Sequence, residues 1–104
     1  MKRYTETHDW IEEVNQVATI GIRQEAVHEL GEVVYVELPK IGSVVKKGQE
    51  IVVLESTKAA IDLHSPLDGT VLEVNDKLAN QPQLINTASE TEAWLYKLTI
   101  TPTA

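Results

Sequence analysis

The chain has 104 residues, enough for one hydrophobic core and too few for two. Nine Lys and Arg against 16 Asp and Glu leave a net charge of −7, which argues against a nucleic-acid binder, because displacing counterions from phosphates needs clustered positive charge. There is no Cys, hence no disulfide framework, thiolate metal site or cysteine nucleophile, and any redox chemistry must come from an attached group. Apolar residues make up 42% of the chain and charged residues 24%, a globular balance. No apolar run approaches the roughly 20 residues of a membrane span. The start, Met1-Lys2-Arg3-Tyr4-Thr5-Glu6, shows no apolar signal core, so the expected setting is the cytoplasm.

In chain order, short strands are broken by turn residues. Val17 to Ile22 alternates around β-branched residues and predicts a strand. Arg23 to Leu30 carries Ala26, Val27 and Leu30 at helical spacing, and Gly31 stands where a helix would end in a left-handed turn. Glu32 to Leu38 alternates again and is closed by Pro39. The turn Lys46-Lys47-Gly48 leads into a strand over Gln49 to Glu55. Ile61 to His64, stopped by Pro66, and Thr70 to Val74 are two more strands. Trp94, Tyr96, Leu98 and Ile100 share one face of a final strand, Trp94 to Ile100. The last residues, after Ile100, are expected to fray. Trp10 and Trp94 are expected in the core or at its edge.

An internal echo occurs at an offset of 27 residues: Gly42-Ser43-Val44-Val45 aligns with Gly69-Thr70-Val71-Leu72, Gly48 with Asn75, and Ile51 with Leu78. Glycine and asparagine adopt positive φ most readily, so 48 and 75 are candidates for one turn used twice, and Gly69 is a further candidate for positive φ. Two similar units about a quasi-two-fold axis make a flattened barrel of two sheets, which hides strand edges. Lys58 lies near the midpoint. Glu55-Ser56-Thr57-Lys58-Ala59-Ala60 should form a tight hairpin with the lysine at its tip, where small neighbours leave the ammonium accessible. A surface lysine in an ordinary turn is the commoner reading of such a residue taken alone.

The flanking residues decide otherwise. Glu55 to Ala60, followed by Ser65-Pro66-Leu67-Asp68-Gly69-Thr70-Val71 and Glu73-Val74-Asn75, resembles the modification site of lipoyl carrier domains, and more narrowly the H-protein family of the glycine cleavage system. His8-Asp9-Trp10, Val17 to Ile22, Leu30 to Pro39, Leu84-Ile85-Asn86 and Trp94 to Leu98 extend the resemblance over about Tyr4 to Ile100. Biotin carriers usually place Met on both sides of the lysine, where this chain has Thr57 and Ala59. Lipoyl domains of 2-oxoacid dehydrogenases typically have Asp before it and lack both the N-terminal strand and the helix ending at Gly31. H-proteins usually have Val at the position of Thr57, a near-isostere. Ala93 replaces the family's usual glycine, and the chain ends soon after Ile100, where the family typically continues into a helical segment. Short relatives that act in lipoate relay or in an ADP-ribosylation-linked oxidative-stress response therefore form the alternative reading.

The resemblance implies a single all-β domain over 1–104, with a core at about 4–100, of the lipoyl/biotinyl barrel-sandwich type with one short helix. It implies lipoate joined to Lys58 by an amide, on a non-catalytic carrier. The implied partners are glycine decarboxylase (P-protein), aminomethyltransferase (T-protein), dihydrolipoyl dehydrogenase (L-protein) and a lipoate ligase or lipoyl/octanoyl transferase. Thr7, Asp9, Asp62 and Glu29 are candidates for docking the loaded arm through its ammonium, and Glu55 for recognition by the lipoylating enzyme. The expected state is a monomer that binds neither nucleic acid nor membrane. His8, His28 and His64 lack metal-ligand spacing, so no metal is expected. The five glycines are scattered as turn punctuation rather than gathered in a phosphate loop.

Overall fold

The computed structural model describes residues 2–5, 9–89 and 91–100; Thr7, His8 and the expected fraying after Ile100 lie outside them. Two antiparallel sheets share one core. The larger contains β1 (Lys2–Tyr4), β2 (Asp9–Val14), β3 (Val17–Ile22), β5 (Val44–Val45), β8 (Gly69–Val74) and β9 (Tyr96–Ile100), in the order β1-β2-β3-β9-β8-β5. The smaller contains β4 (Val33–Glu37), β6 (Glu50–Ser56) and β7 (Ala60–His64), in the order β4-β6-β7. Three short helices complete the described residues: α1 (Gln24–Leu30), α2 (Asp76–Asn80) and α3 (Leu84–Thr87). Among the described residues, no helix is long and apolar enough to cross a membrane.

The alternation seen in the sequence supplies the core. Ile20, Val71 and Leu98 of the larger sheet join Val36, Val52, Leu54 and Leu63 of the smaller in one buried cluster, with Val27 and Leu30 of α1 closing it. The expected all-β barrel sandwich with a short helix is therefore what forms. α2 and α3 carry too few apolar residues to show a period, yet each buries one anchor, Leu78 and Ile85 respectively. β2 and β3 are joined through Asn15 and Gln16, with φ of 50° and 65°. That geometry fits a tight hairpin, but without the usual glycine it leaves little trace in the sequence.

The echoed segments are partners. β5 pairs with β8, Val44 opposite Thr70 and Val45 opposite Gly69, while β6 pairs with β7, Leu54 opposite Ile61 and Glu55 opposite Ala60. Both ladders fold about the same point in the chain, Thr57–Lys58. The turns are not duplicated, however. Gly48 has φ +90°, whereas Asn75 has φ −86° and uses its side chain instead, its amide donating to the carbonyls of Glu92 and Trp94 at 3.2 and 2.9 Å. The last strand also starts later than its alternation suggests. Leu95 is buried and its N–H donates to Ile20 O at 2.8 Å, which breaks the period of two and leaves Trp94 half-buried, with Lys97 Nζ 5.0 Å from its ring centre.

Gly69 does not adopt positive φ. Its requirement is space: a Cβ there would meet Thr99 O at 2.5 Å across the β8–β9 ladder. Gly69→Val should cost about 1–3 kcal/mol by overpacking, read as a fall in urea midpoint at unchanged slope. Tyr96 is buried, and burial, followed by the nearby charge of Asp9, pushes its hydroxyl far above the usual phenol range against the opposing pull of a Ser65 hydrogen bond. Above about pH 10 the unfolded chain loses this proton while the folded chain keeps it, so stability falls as pH rises. Stability measured across that range should decline less steeply in Tyr96→Phe than in the parent.

Candidate functional site

The tip between β6 and β7 is built from small residues that leave room for a closed hydrogen-bond set. Ser56 N–H donates to Ala59 O at 2.7 Å. Ser56 Oγ accepts from the N–H groups of Lys58 and Ala59 at 3.1 and 3.0 Å and itself donates to Ala59 O at 3.1 Å. One hydroxyl thus holds most of the turn, as Ser does where its side chain can mimic a backbone turn. Thr57 N–H donates outward to Glu32 O at 3.0 Å, fastening the tip to the link between α1 and β4.

Lys58 is exposed at this tip, and among the described residues its ammonium forms no ion pair. Its alkyl stem passes over Gly31, where a Cβ would lie 3.4 Å from both Cδ and Cε. Gly31 ends α1 with N–H donating to Val27 O at 3.1 Å, but φ +87° and ψ −155° place it outside the left-handed helical region that a simple helix stop would use. That backbone region is essentially restricted to glycine. The chain can therefore leave α1 and enter β4 without placing a side chain under the lysine.

A groove of about 200 Å³ opens beside the tip, lined by Ala26, Glu29 and Leu30 of α1 and by Lys58, Ala59 and Ile61 of the hairpin. A larger cleft of about 360 Å³ runs between β4, β5 and β6, and neither Lys58 nor any other tip residue lines it. Of the sequence candidates, the structure brings Glu29 into the groove with Lys58. Glu55 is exposed at the end of β6, paired with Tyr35 and Ala60. Asp62 lies opposite Val53 on β7, and strand alternation turns it away from the face that carries Ile61. Asp9 is buried, 3% exposed, in the interior that holds Tyr96. Asp9 and Asp62 are thus not at the groove. Among the described residues no group of three or more His, Asp or Glu is placed to hold a metal ion. The apolar walls Ala26, Leu30 and Ile61 were missed as site residues because their spacing reads simply as core.

The family profile of the glycine cleavage H-protein matches residues 2–104. The chain belongs to this family. It is 50% identical over 100 residues to a glycine cleavage system H protein of Thermotoga maritima, covering 96% of this chain and 81% of that one. A second relative of the same description, from Paramagnetospirillum magneticum, is 50% identical over 99 residues, covering 95% and 79%. The crystal structure of a glycine cleavage system H protein from Mycobacterium marinum superposes with a TM-score of 0.89 at 33% identity, covering 99% of this chain and 86% of that one. The two-sheet architecture is therefore that of the H-protein family.

Since one hydroxyl organises the tip, Ser56→Ala should cost about 0.5–1.5 kcal/mol. Amide exchange should accelerate at Lys58 and Ala59 while protection in β3 and β9 stays unchanged.

Proposed function

We propose that this H-protein family member carries lipoic acid as an amide on Lys58 Nζ and serves as the mobile-arm subunit of the glycine cleavage system. It is a carrier and not an enzyme, as its family is. One observation carries the assignment to Lys58: an exposed ammonium with no ion pair among the described residues stands at the tip of a hydrogen-bonded hairpin beside a largely apolar groove. The residues present suit the group. Ala26, Leu30, Ala59 and Ile61 offer an apolar wall to a hydrocarbon chain, and Glu29 offers a carboxylate to an ammonium carried on it.

When attached, the lipoyl group supplies a reducible dithiolane able to carry a one-carbon amine on sulfur. What the chain supplies is position. The hairpin presents a single amine to a lipoate ligase or lipoyl/octanoyl transferase. The small turn residues leave clearance for a partner's active site, and the groove gives the arm a place to withdraw from water. Tethering replaces three bimolecular encounters with a locally concentrated reactant. The partners would be the glycine decarboxylase, the aminomethyltransferase and the dihydrolipoyl dehydrogenase, each bringing its own cofactor chemistry.

Co-expression with a lipoate ligase should add one lipoyl mass to the parent and none to Lys58→Arg, whose guanidinium keeps the charge but is not acylated. Lys58→Arg should melt with the parent, because the amine makes no ion pair among the described residues. The loaded parent should support glycine–carbon dioxide exchange by the decarboxylase, and Lys58→Arg should not. A parent that gains no mass, or a Lys58→Arg variant that does, overturns the assignment.

A further inference from the structure

The Asn86 side chain lies on α3, far along the sequence from the hairpin, yet it grips the segment on which the hairpin rests. Its Oδ1 accepts the N–H of Val33 at 2.8 Å, and its Nδ2 donates to Gly31 O at 2.8 Å. A backbone donor on one side and a backbone acceptor on the other fix the orientation of the amide without ambiguity. The two bonds bracket Glu32, whose carbonyl accepts the N–H of Thr57 at 3.0 Å. Gly31-Glu32-Val33 is thus held from one side by Asn86 and grips the tip from the other, while Gly31 lies directly under the Lys58 stem. Ile85, the adjacent residue, is buried and anchors α3 in the core.

We propose that Asn86 is a positioning residue for the Lys58 amine, setting the seat of the hairpin tip through the Gly31-Glu32-Val33 bridge. The proposal rests on the reading of Lys58 as the lipoylated residue. Asn86 itself is exposed, so its two bonds compete with water and add little to global stability. Their effect is local: without them the bridge shifts, the acceptor for Thr57 moves with it, and the amine is presented to its ligase in more than one geometry. Misplacement on the order of 1 Å can cost about a hundredfold in a reaction that depends on orientation.

The test compares Asn86→Ala with Val71→Ala, a core truncation in the larger sheet that lowers the melting temperature by other means. Amide exchange at Val33 and Thr57 should accelerate about tenfold in Asn86→Ala and stay unchanged in Val71→Ala, as expected for local opening. Initial lipoylation of Lys58, followed by intact mass with saturating ligase substrates, should slow about tenfold in Asn86→Ala and remain at the parent rate in Val71→Ala. Asn86→Asp keeps the acceptor for Val33 N–H but cannot donate to Gly31 O, so its rate should fall between the two. Equal lipoylation rates in Asn86→Ala and the parent, or slowing by the same factor in Val71→Ala, would overturn the proposal. A parent that takes no lipoyl mass would defeat the reading of Lys58 instead, and the exchange at Thr57 would still report whether Asn86 holds the tip.

Discussion

The pairing of β6 with β7 is the constraint on which the rest of the molecule depends. A strand pair that closes through three residues has one register in which apolar side chains meet the core, because a slip by one residue would turn Leu54 and Leu63 outward. With that register set, the tip has to fall at Thr57–Lys58, beyond the end of the sheet and clear of its packing. The lysine is exposed by geometry and not by chance of composition.

An exposed tip would be mobile if nothing but its own turn held it. Outside the hairpin, one device restrains it and another makes room for it. The hydrogen bond from Thr57 to Glu32 joins it to the end of α1, and the glycine at 31 lets that link pass beneath the lysine stem without a side chain in the way. The helix contributes twice, since its buried face closes the core while Ala26, Glu29 and Leu30 form a wall of the groove. One seven-residue element therefore couples fold stability to the shape of the groove beside Lys58. The family is one of non-catalytic carriers, so what such a chain contributes is the shape of its surface and not bond chemistry.

Two glycines serve close approach and not a special backbone conformation. A Cβ at Gly21 would meet the indole of Trp10 at 2.5 Å, and one at Gly69 would meet a carbonyl of the neighbouring strand. Both belong to the larger sheet, whose strands pack against rings and backbone at distances no other residue permits. The buried polar residues Asp9, Ser65 and Tyr96 lie in the same part of the fold. They account for one acid, Asp9, that the family resemblance suggested for docking and that the fold instead takes inside.

Local patterns made most strands legible, because alternation over five or six residues reports directly which side faces a core. The helix ending near Gly31, the tip at Lys58 and the β5–β8 echo could be read for the same reason: each is a short-range pattern of residue types. What escaped was whatever depends on partners distant in the chain. The helices at Asp76–Asn80 and Leu84–Thr87 exist because single anchors find a core already built, the hairpin at Asn15–Gln16 because its flanking strands pair, and the distinction between Glu29 and Asp62 arises from which face of a sheet a helix covers. The sequence by itself determined a two-sheet fold of the H-protein family with Lys58 at the tip of an exposed hairpin. Only the tertiary structure decided which acid stands beside that lysine and which asparagine bonds to the link beneath it, since hydrogen bonds and groove walls are set by distances in space that spacing along a chain does not encode.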